Sequence, residues 1–219
     1  MAPSFLHGII DMMFPPRCTF CHRILKGKES GLCEECRKSL PETEGAGALQ
    51  RGEFFSVCVS PLYYKGDVRE SLLRFKFQKA SNYAGTYGKI LAGCIREHLQ
   101  GKYDLITWVP LSKKREKTRG YDQSMLLAMA VALELDDVAV ETLVKTLDVP
   151  AQSGLEAAEQ RRANVLGAYE VKDQDLITGN RILLIDDIVT TGSTLSECAR
   201  VLRTAGAKDV VCAALARGE

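Results

Sequence analysis

The chain has 219 residues, a mass of 24.1 kDa, and 29 Lys+Arg against 28 Asp+Glu, a net charge of +1. This length suits one full domain plus something small, and it is ample for a real hydrophobic core. Near-neutrality excludes a chain-wide polyanion-binding surface, so any phosphate or nucleic-acid site must be built from local clusters. A composition of 46% hydrophobic and 26% charged residues excludes a disordered or fibrous chain.

Residues 1–16 are apolar, but they lack a basic start and Asp11 interrupts them, so no signal peptide is expected. No run approaches the roughly 18–20 apolar residues of a membrane helix, so no membrane insertion is expected. Residues 1–45 are short on periodic segments and carry four of the eight cysteines. A Gly45-Ala46-Gly47-Ala48 linker then separates them from residues 46–219. Short strands are expected around 55–59 and 62–64, a turn at 65–67, and helices over 68–77 and 82–99. Residues 105–109 read as a buried strand stopped by Pro110. A basic loop and a helix over 123–135 follow. Residues 138–172 read as a long excursion, a hairpin or mobile flap. The run Arg181-Ile182-Leu183-Leu184-Ile185 is the strongest buried strand. A helix over 193–205 closed by Gly206 and a strand over 210–215 complete the chain. Strand, helix, strand in this order implies an α/β domain with a parallel sheet flanked by helices.

Cys18-Thr19-Phe20-Cys21 and Cys33-Glu34-Glu35-Cys36 each place two residues between thiols, so both sulfurs of a pair can turn toward one ion. Four thiolates suit tetrahedral Zn²⁺, and a closed four-sulfur site is structural. Neither pair opens a helix after a strand, which argues against a redox dithiol. His22 beside a ligand reads as a bystander. Cys58, Cys94, Cys198 and Cys212 sit in apolar surroundings and read as buried thiols of a reduced, cytoplasmic protein. Such a zinc unit reads as separable, and Cys33→Ser is expected to loosen residues 1–45 while leaving the rest folded.

The segment from Ile182 to Thr194 carries the most information. A strand ends in Asp186 and Asp187, and a loop of Thr190, Thr191, Gly192, Ser193 and Thr194 runs into a helix N-terminus. Free N–H groups and the helix dipole there attract phosphate, and Gly192 lets backbone approach it closely. Two adjacent carboxylates suit ribose hydroxyls or Mg²⁺. This segment resembles the phosphoribosyl-pyrophosphate (PRPP) motif of type I phosphoribosyltransferases. With the cysteine pairs, the Arg119-Gly120-Tyr121-Asp122-Gln123-Ser124 run, and the elements Gln152-Ser153-Gly154-Leu155, Arg161 and Asn164-Val165-Leu166-Gly167-Ala168-Tyr169, the chain resembles the ComF family.

That resemblance implies a type I phosphoribosyltransferase-like domain over 46–219 behind a Cys₄ zinc-ribbon module over 1–45. It implies PRPP or a nucleoside 5′-phosphate as ligand, with Mg²⁺. Asp186, Asp187 and Arg119 would be catalytic, and Leu111 and Ser112 would lie nearest pyrophosphate. Asp122 departs from the Asn expected in many members, and a carboxylate there would be unfavourable beside pyrophosphate unless neutralised. Lys145, Gln152, Arg161 and Asn164 fall on the family's flexible loop. Lys113, Lys114, Arg115 and Lys117 join Arg119 in the basic loop, which suits a polyphosphate or a nucleic-acid backbone and is otherwise a solvated surface. Lys76 reads either as a cation reaching a phosphate or as a solvent-facing strand residue.

Two functions stay open on the sequence. One is a phosphoribosyltransferase of unknown acceptor, in DNA uptake (competence) or nucleotide metabolism. The other is a non-catalytic PRPP- or nucleotide-sensing module that meets single-stranded DNA and a competence helicase. Neither excludes a homo-oligomer.

Overall fold

The structure is a computed structural model, and it describes residues 15–147 and 166–218. Its centre is a mostly parallel sheet. The long strands are β7 (Arg181–Val189) and β8 (Asp209–Arg217), flanked by β4 (Leu105–Trp108) and β2 (Val57–Val59). The order is β1–β2–β8–β7–β4. Only β1 (Leu49–Gln50) runs antiparallel, and β3 (Leu62–Tyr63) pairs with the far end of β8. The apolar runs that mark β7 and β8 in the sequence are explained by burial of both faces. Leu183, Ile185, Val211, Ala213 and Leu215 enter one core layer, and Ile182, Leu184, Val210, Cys212 and Ala214 enter the other.

The first layer lies under α2 (Gly66–Phe77), α3 (Ala84–Leu99) and α5 (Gln123–Leu135), and the second under α6 (Ser193–Thr204). Helices α3 and α5 pack closely because residue 88 is glycine: a Cβ there would lie 2.7 Å from that of Ala130. The expected helix over 193–205 is α6, and Gly206 follows it in the left-handed region at φ 101°. The expected turn at 65–67 is instead the start of α2, with Lys65 in the N-cap position.

Residues 113–119 are not a loop. They form a short helix, α4 (Lys113–Arg119), because Ser112 caps its start by accepting from Arg115 N–H and Gly120 ends it at φ 87°. The excursion over 138–172 begins and ends as a hairpin, β5 (Leu143–Lys145) against β6 (Tyr169–Val171). Gln152, Arg161 and Asn164 lie outside the described residues.

The cysteine-bearing segment, which includes the short helix α1 (Glu34–Ser39), is not held apart from the sheet. Cys18, Phe20, Leu25, Cys33 and Cys36 are buried in the same cluster as Leu72, Phe75, Tyr87 and Leu91 of α2 and α3. The Phe20 ring is fully buried, 5.8 Å from that of Tyr87.

Candidate functional site

The first constellation is the cysteine cluster. The four sulfurs of Cys18, Cys21, Cys33 and Cys36 all lie within 4.8 Å of one another. The Cys21–Cys33 separation of 3.7 Å matches the edge, about 3.8 Å, of a tetrahedron drawn with Zn–S bonds of 2.3 Å. Backbone N–H groups of Cys33 and Cys36 point at the sulfurs of Cys18 and Cys33, at 3.5 and 3.4 Å. Such donors stabilise thiolate. Burial acts to raise the Cys33 thiol, but donors from Cys36 N–H, Arg23 and the neighbouring thiols outweigh it and bring the group to about 6. Glu29 holds the hairpin between the pairs by accepting from Arg23 at 2.7 Å, Lys26 N–H at 2.8 Å and Glu34 N–H at 2.9 Å. His22 sits in the left-handed region at φ 64° and lies outside the ligand set. The donor set fits a structural zinc ion and leaves no open position for chemistry.

The second constellation stands where the parallel strands end. Strand β7 runs on past Ile185 and carries Asp186 and Asp187 in its second half, with Thr190 directly after it. Asp186 accepts from Ser124 Oγ at 2.8 Å and from Asp187 N–H at 2.9 Å. Burial first, and the adjacent Asp187 charge second, push its carboxyl up to about 7. Asp187 is 7% exposed. Its outer oxygen pairs with Lys76 Nζ at 2.9 Å, and the two side chains are only 9% and 19% exposed. Lys76, ambiguous in the sequence, therefore points inward from the end of α2. The sequence assigned no role to Ser124, and nothing in its spacing marks it: the rest of α5 and the β5–β6 hairpin separate it from β7.

Beyond the acidic pair, Gly192 opens α6 at φ 75° and has no side chain to cap it, while Thr191 Oγ1 accepts from Ser193 N–H at 3.4 Å. Thr191 Oγ1 and Ser193 Oγ bond each other at 2.8 Å. Asp186 and residues 188–195 enclose a recess of about 80 Å³. A wider cleft of about 380 Å³ runs along the flank of α6, lined by Arg51, Phe54, Ser193, Glu197 and Arg200. The recess combines hydroxyls, helix N–H groups and the Asp186 carboxylate, which suit a ribose phosphate.

Asp122 resolves as a buried anchor. It caps α5 by accepting from Met125 N–H at 3.0 Å and holds Leu111 N–H at 2.7 Å. Burial pushes its carboxyl up against those donors. Its charge is thus used by backbone N–H groups, which answers the sequence-level objection to a carboxylate there and fixes the Leu111–Ser112 turn. Arg119 donates to Gln123 Oε1 at 2.7 Å and lies 5.1 Å above the Phe77 ring. The structure brings Asp186 together with residues 190–194 and sets Asp187 against Lys76, whereas Lys113, Lys114 and Lys117 are exposed on α4. Lys145 donates to the Tyr169 hydroxyl across the hairpin at 3.1 Å. Arg217 donates to Gly47 and Leu49 carbonyls at 2.6 and 3.2 Å, tying the end of β8 to the segment before β2.

Residues 122–219 match the phosphoribosyl transferase domain and residues 9–47 the double zinc ribbon domain. The fold and its two constellations therefore define a phosphoribosyltransferase-type α/β domain joined to a structural zinc ribbon. Competence protein F of Haemophilus influenzae is 28% identical over 92% of this chain and 96% of its own. DNA utilization protein YhgH of Escherichia coli O157:H7 is 28% identical over 88% of this chain and 86% of its own. Competence protein ComFC of Bacillus subtilis is 30% identical over 65% and 56%. The resemblance to the ComF family holds along the length of the chain. No helix among the described residues is long and apolar enough to cross a membrane.

Proposed function

We propose that this protein binds PRPP, or a nucleoside 5′-phosphate, with Mg²⁺ and serves in the cytoplasm in DNA uptake or nucleotide-related metabolism. The reading divides the chain into a zinc-binding module over 1–45 and a phosphoribosyltransferase-like domain over 46–219. The observation that carries it is the acidic pair Asp186–Asp187 in the second half of β7, with Asp186 lining the recess formed by residues 188–195 at the N-terminus of α6. Asp186 and Asp187 accept from the ribose hydroxyls. Thr190, Thr191, Gly192, Ser193 and Thr194 receive the 5′-phosphate through backbone N–H and hydroxyl donors. Leu111 and Ser112 face the pyrophosphate, and Arg119 supplies positive charge. The hard carboxylate oxygens of the pair fit Mg²⁺, which when bound neutralises pyrophosphate charge. In turnover, an acceptor lone pair forms the new bond to the anomeric carbon while pyrophosphate leaves with the electrons of the broken C–O bond. Positioning and charge stabilisation then supply the catalysis.

A second reading is supported by the exposed Lys113, Lys114 and Lys117 on α4. They suit the backbone of single-stranded DNA presented with a helicase partner, and the domain then senses its ligand without turning it over. The test is calorimetry with PRPP, with and without Mg²⁺, followed by a pyrophosphate-release assay across a panel of bases and amines. Binding by the wild type and its loss in Asp186→Asn/Asp187→Asn supports the site. Equal affinity in both proteins overturns it. Binding without release in any panel member selects the second reading.

A further inference from the structure

Helix α2 connects the two constellations. One face of it, at Ser71 and Arg74, holds the first cysteine pair. Ser71 Oγ donates to the Thr19 carbonyl at 2.5 Å, and Arg74 Nη2 donates to the carbonyls of both Thr19 and Phe20. These are the two peptide groups between Cys18 and Cys21, so α2 grips the backbone that carries two metal ligands. Thr19 Oγ1 also bonds Thr86 Oγ1 at 3.2 Å, which ties the same turn to α3.

On another face, in the last turn, Lys76 meets Asp187. Arg74 and Lys76 lie two residues apart, about 200° around a helix. One therefore faces the cysteine turn while the other faces the sheet, and α2 is wedged between them. The wedge is stiff. Phe75 is fully buried, its ring edge-on to Tyr87 at 5.3 Å and tilted against Tyr121 at 5.6 Å, and the Tyr121 hydroxyl donates to the Phe75 carbonyl. Close-packed interiors pass a displacement of one contact on to the next.

The placement of Lys76 also has a chemical consequence. Without ligand, its ammonium neutralises one of two adjacent, mostly buried carboxylates. A ribose hydroxyl or a divalent cation arriving at Asp187 competes for the same oxygen. The ammonium must then find another anion, and a phosphorylated ligand brings one.

We propose that Lys76 is an exchangeable counter-charge of the ligand site, passing from Asp187 to a ligand phosphate on binding, and that the four-cysteine turn sets its position through Arg74 and α2. The exchange rests on the PRPP reading above, whereas the positioning by the cysteine turn does not.

Two measurements separate them, both on the zinc-loaded full chain. In the first, PRPP and inorganic pyrophosphate are titrated by calorimetry. Lys76→Ala is expected to lower affinity tenfold or more while Lys76→Arg recovers most of it. Lys76→Ala binding as tightly as wild type, or tighter, overturns the exchange. Failure of the wild type to bind either ligand overturns both the exchange and the PRPP reading.

The second measurement needs no ligand. In protein with ¹³Cε-labelled lysine, the Lys76 signal is identified by its loss in Lys76→Arg, and its shift in Asp187→Asn marks the ion pair. Arg74→Lys keeps the charge but lacks the second donor arm. It is expected to move the Lys76 signal toward its Asp187→Asn position while the protein retains one zinc. Arg74→Ala serves as the larger perturbation where Arg74→Lys is silent. An unmoved Lys76 signal in folded protein of both variants overturns the positioning role.

Discussion

Truncating Phe20 asks whether the cysteine segment is a separable module or part of one cooperative core. The side chain is 0% exposed and packs on Tyr87 of α3 within the cluster that also receives Leu183, Ile185 and Val211 of the sheet. Removing a fully buried phenylalanine typically costs about 3–5 kcal/mol through lost transfer energy and the cavity left behind. For a chain of this size each kcal/mol moves Tm by roughly 2–4 °C, so Phe20→Ala should lower it by roughly 6–20 °C. Two probes watch opposite ends of the core. The single tryptophan, Trp108, is 6% exposed on β4 and reports the sheet by fluorescence. A chromophoric chelator reports release of zinc from the cysteine turn. Both transitions are expected to move down together in Phe20→Ala. If zinc release moves and the Trp108 transition stays at the wild-type temperature, the segment is an independent module and the shared-core argument fails. The same packing implies that Cys33→Ser disturbs more than the first 45 residues, since Cys33 and Cys36 belong to that cluster.

Other outcomes follow from the acidic pair, the α5 cap and α4. Asp186 holds its proton to about pH 7 in the folded state, against about 3.9 unfolded. Between those values the folded chain carries more protons than the unfolded one, so stability falls as pH rises. Thermal melts without ligand should therefore show the advantage of Asp186→Asn over wild type growing from pH 5 to pH 8, and a pH-independent difference contradicts the assignment. Asp122→Ala removes the α5 cap and the acceptor for Leu111 N–H. It should cost about 1–3 kcal/mol in denaturant melts and weaken PRPP binding, and unchanged stability would show the cap to be incidental. Changing Lys113, Lys114 and Lys117 to Ala should lower the slope of log K against log[salt] for single-stranded DNA by up to ~2 while leaving PRPP affinity nearly unchanged. An unaltered slope removes α4 from the DNA interface.

Features whose chemistry is local along the chain were legible in the sequence. Two Cys-x-x-Cys pairs announce a thiolate site because two intervening residues suffice to turn both sulfurs inward. The run from Ile182 to Thr194 announces its site because strand, carboxylates, glycine turn and helix start are consecutive. Strands β7 and β8 were legible because burial on both faces demands unbroken apolar runs. Long-range pairings were not legible. Lys76 lies in a segment that reads equally well as solvent-facing, and only the seating of α2 against the sheet brings its ammonium to Asp187. Ser124 reaches Asp186 only because α5 packs across β7. The basic segment 113–119 looked like a loop because its length is marginal for a helix, and the caps Ser112 and Gly120 decide it. Asp122 looked like a misplaced charge until the turn at Leu111 brought it a second backbone donor. The cysteine turn looked separable because a Gly/Ala linker follows it. Where its apolar side chains go was decided only in three dimensions: so small a segment cannot bury Phe20 by itself, and α2 and α3 offer the apolar surface that does.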